Sequence, residues 1–456
     1  MKLKKSVWLI IPIVVTSIGF ILGMMASEKV RREAAKPYDT QYYVFDSTQS
    51  KTDILDGFQV TPSEFFEEIT RIVRTNYVEE IKDETPLAHG AIRTLLHSLK
   101  DIGTRFYEPD EWKNYLDRLE GVYEGIGIEL ITIPGGTEKW PSFTLTVMSV
   151  ADNSPAKEAG LKSGDVISEV NGKWVANESP FKTLEEAAQQ YQSGKITMED
   201  YGKEVEKVVK SLENMILVHE AQKELQSGTN GEIEVVVLRG GVKISHNITK
   251  RKTINKPIEE KHNVIRIRNF SEGVDETLKE LVNNKKEVVL DLRQNAGGSF
   301  EVMKNCLRLF IKNGEFVRIQ RKNASKPVSV SIENGFEIAN VTVLVDEGTA
   351  REAEVFYNAL VNRANAKLEG SKSFGLGVRI ENYSLPDGSG YTLTTGLYFD
   401  TEGKPLFTES FVKNLLSRDE AMKSAFNSVE VYRQAYTVSN LLNAFRIFFY
   451  PVVRVS

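Results

Sequence analysis

The sequence predicts a multidomain α+β protein, because three parts of its 456 residues follow different patterns. Residues 7–25 form an uncharged, mostly apolar run near the N-terminus. Short strands separated by glycine turns begin near Gly121, which is typical of a small β domain. From about Val264 onward, strands alternate with helices, which predicts βαβ units and a largely parallel sheet. A chain of this length can form two or three separate hydrophobic cores.

The apolar run over residues 7–25 is long enough to cross a bilayer as a helix. Lysines precede it, as in a signal-anchor segment, and no good small-x-small cleavage site follows it. We therefore expect residues 1–28 to be a transmembrane signal-anchor and residues 29–58 to be a linker. Positive charges lie on both sides of the run, so their count alone does not decide its orientation.

Residues 59–119 are predicted to form a helical region. Thr61 can cap a helix, Pro62 suits its first turn, and Glu64 can complete a capping box. A second helix is expected where apolar residues recur at helical spacing around Ala91. Taken alone, this helical pair serves most simply as scaffold or as a dimer contact.

Residues 120–251 combine a glycine-containing loop with two tight turns. They contain the segment Tyr123-Glu124-Gly125-Ile126-Gly127-Ile128, the turn Gly164-Asp165 and the turn Asn171-Gly172. Together these features resemble a PDZ domain. The resemblance implies that the glycine-containing loop presents backbone N–H groups to a chain-terminal carboxylate, while the peptide adds as an extra strand. The alternative is a structural β domain that binds nothing. The expected peptide-binding residues are Tyr123, Gly125, Ile126, Gly127 and Ile128.

A helical insertion is predicted inside this domain, over about residues 177–214. Apolar residues recur at helical spacing on both sides of a break at Gly194-Lys195. A charged helical hairpin of this kind is most often a solvated insertion. Its alternatives are a partner-binding element or a cover over the peptide groove, whose own helix is expected around residues 215–225.

Residues 252–430 are predicted to form an α/β core with a mixed sheet. A buried strand leads into D-L-R-Q-N-A-G-G at residues 291–298, and Val341–Val345 leads into T-A-R-E-A-E at residues 349–354. The loop S-F-G-L-G-V-R-I follows at residues 373–380. These segments resemble the D-L-R-x-N-x-G-G, S-A-S-A-S-E and T-F-G-K-G-x-x-Q signatures of the C-terminal processing peptidases, tail-specific serine proteases with a serine–lysine dyad and a PDZ domain.

The catalytic positions of that family are replaced in this chain. Laid on the signatures, the nucleophilic serine falls on Arg351, the lysine base on Leu376 and the supporting glutamine on Ile380. Arginine has no nucleophilic form, because its guanidinium stays protonated at any accessible pH. Neither aliphatic side chain can accept or orient a proton. The resemblance therefore predicts a protease-like core without its catalytic groups.

Part of the oxyanion hole, the set of N–H groups that stabilises a negative oxygen, is expected to remain. The glycine turn at Gly297 and Gly298 matches the family, and the backbone N–H of Glu352 follows the nucleophile position. A relocated dyad of Thr349 and Lys372 would need both loops to be re-aimed. A serine–histidine–aspartate triad lacks a plausible histidine, since the nearest in sequence, His262, lies at the domain boundary.

Arg351 itself allows two hypotheses. It could fill the site and form an ion pair with a nearby carboxylate such as Glu352 or Glu354. It could instead hold the carboxylate of a bound peptide end through a bidentate pair.

Composition argues against several other functions. A net charge of −5 and a pI near 5.8 leave no basic stripe for nucleic acid. The single cysteine, Cys306, rules out an intramolecular disulfide and a cysteine-based zinc cluster. The five histidines are scattered without the spacing of metal ligands. We predict no metal and no cofactor.

The C-terminal segment, residues 431–456, is unusually aromatic for an exposed end. Burial within the fold or an assembly is the favoured interpretation, and contact with a membrane surface is the alternative.

The resemblance and the replaced residues together predict a membrane-anchored pseudoprotease of the cell envelope, with most of the chain outside the cytoplasm. It would bind protein C-termini through its PDZ domain and act as a scaffold, adaptor or regulator. It could form a homo-oligomer or a hetero-oligomer with an active relative. Two alternatives stay open: an active or residual serine-type endopeptidase that cleaves near substrate C-termini, and a structural subunit of a membrane complex.

Overall fold

The computed structural model describes residues 62–136, 141–176, 181–322, 324–338 and 340–408. The predicted signal-anchor, the linker after it and the aromatic C-terminal segment lie outside these residues. Within the described ranges, no helix is long and apolar enough to cross a membrane.

The predicted helical region contains three helices and one strand. The sequence predicted two of these helices, but not the third helix or the strand. Helix α1 belongs to a first compact unit that ends at Asp83, and the other elements belong to the second. Pro109 opens α3, and Glu111 accepts the backbone N–H of Glu108, which completes a capping box. The elements are α1 (Pro62–Asn76), α2 (Thr85–His97), β1 (Arg105–Tyr107) and α3 (Pro109–Leu119).

The PDZ-like domain is a seven-stranded sheet with one helix along its edge strand. Strands β3 to β7 pair in chain order, and β8 joins the sheet through β5 and carries β9. The strands are β3 (Ile128–Gly136), β4 (Pro141–Val150), β5 (Val166–Val170), β6 (Lys173–Val175), β7 (Met215–Ile216), β8 (Glu232–Arg239) and β9 (Val242–Thr249). Helix α4 (Pro155–Glu158) follows β4, and β2 (Val122–Tyr123) pairs separately with β10 (Thr253–Ile254).

One predicted boundary in this domain is wrong. The groove helix does not begin at Met215, because Met215 and Ile216 pair in parallel with Trp174 and Val175 as β7. The helix, α7, spans Val218–Gln226. Strand β3 begins at Ile128, directly after Gly125 and Gly127, whose φ angles are 73° and 78°.

The predicted insertion is a helical hairpin between β6 and β7. Helix α5 spans Phe181–Gln192 and helix α6 spans Met198–Glu213, with Gly194 in a left-handed conformation between them. Ala187 and Val208 are buried, while lysine–glutamate pairs line the exposed face of α6.

The core contains the predicted mixed sheet. Its order is β11-β12-β13-β16-β17, in which only the β11–β12 pairing is antiparallel. The predicted strand Val341–Val345 is confirmed as β16. The other elements are β11 (Ile258–Lys261), β12 (Val264–Ile267), α8 (Val274–Val282), β13 (Val288–Asp291), α9 (Phe300–Leu307), α10 (Glu352–Ala364) and β17 (Lys367–Gly370).

A second, antiparallel sheet completes the core. Its order is β1-β19-β14-β15, with β18 also paired to β19. Strand β1 pairs with a strand that is distant in sequence, because Arg105 lies opposite Thr392 of β19. The remaining strands are β14 (Gly314–Gln320), β15 (Val328–Ile332), β18 (Val378–Ser384) and β19 (Gly390–Phe399).

The parallel strands position the predicted site. Strands β13 and β16 are neighbours, with Asp291 paired to Leu344, and both run toward the same edge of the sheet. The glycine turn follows β13, and the segment around Arg351 follows β16. Segments that leave the carboxyl ends of adjacent parallel strands commonly form binding sites.

Candidate functional site

Arg351 lies at the position of the nucleophile, in a strained backbone conformation just before α10. Its φ is 55° and its ψ is −121°, a conformation that costs a non-glycine residue about 1–3 kcal/mol and is typical of functional sites. The side chain is 9% exposed, and its Nη2 lies 3.4 Å from Oε2 of Glu352. Burial lowers the pKa of Arg351, but the Glu352 carboxylate helps raise it above its ordinary value. The predicted ion pair with Glu352 is confirmed.

The side chain of Glu352 lies in the predicted oxyanion hole. Its Oε2 accepts the backbone N–H of Gly298 at 3.1 Å, and its Oε1 accepts the Tyr398 hydroxyl at 3.1 Å. The residue is 1% exposed. The Gly298 N–H is therefore not free in this structure, because the chain's own carboxylate accepts it.

The sequence analysis missed this role, although a signal was present. The family signature has alanine, which carries no charge, at the position of Glu352. The backbone N–H of Glu352 was expected to serve the oxyanion hole, and its carboxylate was considered only as an ion-pair partner of Arg351.

The glycine turn is held by close packing. Gly297 and Gly298 have φ angles of 103° and 146°, and a Cβ on Gly298 would lie 2.7 Å from the backbone nitrogen of Phe270. Asn295 accepts the Gly297 N–H at 2.9 Å and donates to the Ile267 carbonyl at 2.9 Å. These contacts explain why the D-L-R-x-N-x-G-G motif needs both its asparagine and its glycines here.

Leu376, at the position of the lysine base, is completely buried among apolar side chains. Its cluster includes Ile131 and Met148 from β3 and β4 of the PDZ-like domain, together with Phe407. Ile380 is half-buried against the same cluster. The base and its supporting residue are thus replaced by an apolar contact between the core and the PDZ-like domain.

Glu354 anchors the second loop to α10. Its Oε1 accepts from the Ser373 hydroxyl and the Gly375 N–H, both at 2.7 Å. Its Oε2 accepts from the backbone N–H groups of Leu376 at 2.8 Å and Arg351 at 3.0 Å. Burial raises the pKa of Glu354 to about 7, against the opposing effect of these donors. Glu354 therefore binds the Arg351 backbone and not its guanidinium.

The structure does not form the relocated dyad. The Thr349 hydroxyl donates to the Leu292 carbonyl at 2.9 Å and accepts the Asp346 N–H at 3.1 Å. Lys372 is exposed. His262 lies in the turn between β11 and β12, with a φ of 51°, and is also exposed.

A cleft of about 300 Å³ opens beside Arg351 and Gly298. Tyr115, Phe270 and Phe300 supply aromatic surface, and Arg379 stacks over the Phe300 ring at 4.7 Å while pairing with Glu381 at 3.0 Å. In the described part of the chain, no group of three or more histidine, cysteine, aspartate or glutamate residues could hold a metal ion.

The predicted peptide-binding loop lies against the end of α7. The Gly125 N–H donates to the Gly228 carbonyl at 2.7 Å, and the Ile126 N–H donates to the Leu225 carbonyl at 3.0 Å. Ile126 and Ile128 point into the domain core, where they are 0% and 1% exposed.

The other two predicted residues of this loop lie beside it. Gly127 approaches Ser154 so closely that a Cβ would lie 2.4 Å from the Ser154 Cβ. Tyr123 is half-buried in β2, and burial raises the pKa of its phenol.

Gln294 joins the PDZ-like domain to the core, and the sequence analysis missed it. Its Oε1 accepts from the Val150 N–H at 2.8 Å and the Ser163 hydroxyl at 3.0 Å, while its Nε2 donates to Asp346 at 2.7 Å. It stands at the variable position of the D-L-R-x-N-x-G-G motif, where the signature gives no hint of a role.

Comparisons with known proteins agree with this architecture. The family model for the PDZ domain matches residues 113–199, and the model for peptidase family S41 matches residues 261–414. The structure of the photosystem II D1 C-terminal processing protease has the same fold, with a TM-score of 0.50 and 23% identity, over 75% of this chain and 84% of that one.

Curated relatives include a probable CtpA-like serine protease of Staphylococcus aureus (strain N315), which is 27% identical over 335 residues. The match covers 71% of this chain and 58% of that relative's length. The carboxy-terminal processing protease CtpA of Bacillus subtilis (strain 168) is 27% identical over 338 residues, covering 73% of this chain and 64% of the relative. Together, the S41 match, the PDZ match and the CtpA-like relatives support the C-terminal processing peptidase family with a PDZ domain.

Proposed function

We propose that this chain is a catalytically inactive member of the family that binds protein C-termini through its PDZ domain and acts as a scaffold, adaptor or regulator. The observation that carries the proposal is the buried pair of Arg351 and Glu352, which fills the nucleophile position and the oxyanion hole. Binding could present chain ends to an active relative or restrain that relative within a complex.

The pair opposes hydrolysis in two ways. No hydroxyl stands where Arg351 lies, so an acyl-enzyme cannot form there. The Gly298 N–H, which would stabilise a developing oxyanion, is bonded to a carboxylate that already carries negative charge. A second negative oxygen at that place would be repelled by the first. In addition, Leu376 stands at the position of the lysine base, and its side chain cannot take a proton.

The test uses the full chain and a disordered protein that ends in apolar residues. We expect binding without cleavage, measured by anisotropy for binding and by gel and mass analysis for cleavage. Cleavage by the unaltered chain would refute the proposal and support a residual peptidase.

Restoring the family residues supplies the matched comparison. One variant carries Arg351→Ser, Leu376→Lys and Ile380→Gln, and a second carries Glu352→Ala in addition. If Glu352 fills the hole, any cleavage regained is greater in the second variant. Equal cleavage by the two variants would show that the Glu352 carboxylate does not obstruct the site.

A structural subunit is the second candidate, and the occupied peptide loop favours it. The N–H groups of Gly125 and Ile126 already bond to the end of α7. If the full chain binds neither a peptide with a free carboxylate nor the disordered protein, the structural role becomes the better proposal.

We also propose that residues 7–25 anchor the chain in a membrane, with the rest of the chain outside the cytoplasm. The apolar run and the lysines before it support this location. Protease added to intact cells should then degrade the chain, and deletion of residues 1–28 should release it from the membrane fraction. Protection from protease in intact cells would place the bulk of the chain on the other side.

A further inference from the structure

We propose that the PDZ groove is held closed by the end of its own helix α7, and that Gln226 sets the affinity for a chain-terminal carboxylate. This inference rests on the peptide-binding function proposed above. The closing segment, residues 225–228, is called the α7 latch below.

The free edge of β3 is where a peptide would add. Strand β3 ends the order of its sheet and pairs with β4 along one edge. An added strand uses the N–H and C=O groups that point outward from such an edge. The carbonyl of Ile128, the first residue of β3, instead accepts from Nε2 of Gln226 at 2.9 Å. Gln226 thus occupies an acceptor that a bound peptide would need.

The latch also occupies donors of the carboxylate-binding loop. The carbonyls of Leu225 and Gly228 accept the N–H groups of Ile126 and Gly125 at 3.0 Å and 2.7 Å. An incoming carboxylate is a stronger acceptor than a carbonyl, because a hydrogen bond to an ionised group is roughly twice as strong as one between neutral groups. A free peptide end can therefore displace the latch, whereas an amidated end offers only the weaker acceptor.

Packing leaves no room for the last side chain of a ligand while the latch is closed. Gln226 is 6% exposed, Leu225 and Ile126 are 0% exposed, and Ile128 is 1% exposed. Behind the latch, a cavity of about 30 Å³ borders Gln226 and Ser227. Its volume is about that of one water in the liquid, so the segment is less tightly packed on that side.

The groove is closed by α7, whereas the sequence had suggested the helical insertion as a possible cover. The groups that bond to the Gly125 N–H, the Ile126 N–H and the Ile128 carbonyl belong to residues 225–228, which lie outside the α5–α6 hairpin. When a competent state is populated only in part, the apparent Kd rises in proportion. Weakening the latch should therefore tighten ligand binding.

The test measures anisotropy of a labelled decapeptide that ends in three valines with a free carboxylate, using the full chain. Gln226→Ala and Gln226→Met both remove the Nε2 donor, and the second keeps the volume of the side chain. We expect both to lower the Kd roughly two- to tenfold, the range that a net contribution of one hydrogen bond implies. Gln189→Ala removes a side-chain amide from exposed α5 and should leave the Kd unchanged.

Hydrogen exchange gives an independent measure. On peptide addition, residues 125–128 should exchange more slowly and the latch, residues 225–228, should exchange faster. The amidated decapeptide should produce neither change.

The outcomes separate the latch from the function on which it rests. If the unaltered chain binds the free decapeptide, and the Gln226 variants bind equally or more weakly without loss of melting temperature, the latch is overturned and peptide binding stands. If no variant binds, both proposals fail. Binding by the Gln226 variants alone would support the latch strongly.

Discussion

Arg351 and Glu352 each depend on the other, because each would be an isolated buried charge alone. Their side chains are 9% and 1% exposed. Removing one partner of a buried pair leaves an uncompensated charge, whereas replacing both by apolar groups is often neutral. Arg351 stands at the nucleophile position, and Glu352 follows it at the oxyanion hole. In this chain the two residues are therefore coupled through the free energy of folding.

Glu352→Ala should lower the free energy of unfolding by about 3–5 kcal/mol, measured by urea unfolding. The double variant Arg351→Leu/Glu352→Ala should recover much of that loss. Lys203→Ala is the control, because it breaks an exposed pair with Glu199, for which less than about 1 kcal/mol is expected. An equal loss in the single and double variants would show that the two charges are not coupled.

Glu354 should make stability depend on pH. Burial raises its folded pKa to about 7, above an unfolded value of about 4.3. The folded chain then binds a proton that the unfolded chain has lost, so this group's contribution to stability falls as pH rises from about 4.3 to 7, by up to roughly 1.4 kcal/mol per pH unit. Unfolding at pH 5 and 7 should show this loss in the unaltered chain and a smaller one in Glu354→Gln. The same pH difference in both chains would contradict the assignment.

At the scale of elements, His89 ties helix α2 to two other parts of the fold. Its Nδ1 lies 2.5 Å from Glu108, the residue before α3, and its Nε2 lies 2.7 Å from Asp387, in the turn between β18 and β19. Burial lowers the pKa of His89, but the carboxylates of Asp387 and Glu108 raise it above its ordinary value. The protonated imidazole therefore holds three elements together.

His89→Gln should destabilise the chain more at acidic pH than at alkaline pH. Because the folded pKa is raised, the stabilisation is fully present below about 6.5, the unfolded value. It is lost as pH rises through the folded pKa. Unfolding of both chains at pH 6 and 9 measures the difference, and His262→Gln in the exposed β11–β12 turn is the control. A larger effect of His89→Gln at pH 9 would have the wrong sign and reject the imidazolium.

At the scale of the whole molecule, the PDZ domain and the core share an apolar and a polar contact. Leu376 packs with Ile131 and Met148 of the PDZ domain. Gln294 bonds to Val150 and Ser163, and Asp152 forms ion pairs with Arg266 and Arg268 of the core at 2.9 Å and 3.0 Å. The position that matches the lysine of the family signature is therefore part of the contact that holds the PDZ domain in place.

Leu376→Lys should weaken that contact. An ammonium group buried among apolar side chains must lose its proton or draw in water, at a cost of about 3–5 kcal/mol at pH 7. Leu376→Met, which keeps the volume, should cost less than about 1.5 kcal/mol. Hydrogen exchange in β3 and β4 should increase for the lysine variant only. Unchanged exchange in both variants would mean that Leu376 does not secure the domain.

The sequence was most informative where structure is local. The strand Val341–Val345 and the glycine turn after Asp291 were predictable from the sequence. A buried strand favours apolar residues, and a positive φ favours glycine. The exchange of serine, lysine and glutamine at positions 351, 376 and 380 could likewise be found by alignment to a short signature.

The contacts that define the candidate site were less accessible to sequence reasoning. Glu354 bonds to residues of the second loop, and Gln294 bonds to a domain that precedes it in the chain. Gln226 meets Ile128 across 98 residues. Glutamate and glutamine are ordinary at exposed positions, so only the folded arrangement reveals that each of these side chains bonds to a specific partner.

The pairing of β1 with β19 bears on how the chain is made. The Thr392 hydroxyl bonds to the Gly103 carbonyl, 289 residues away. Strand β1 can therefore pair with β19 only after almost the whole core has been synthesised. Contacts of such long range slow folding and leave strand edges exposed meanwhile. The edge of β1 therefore stays unpaired until the last strands of the core have been made. Chaperones that act on unfolded strands are expected to increase the yield of folded chain.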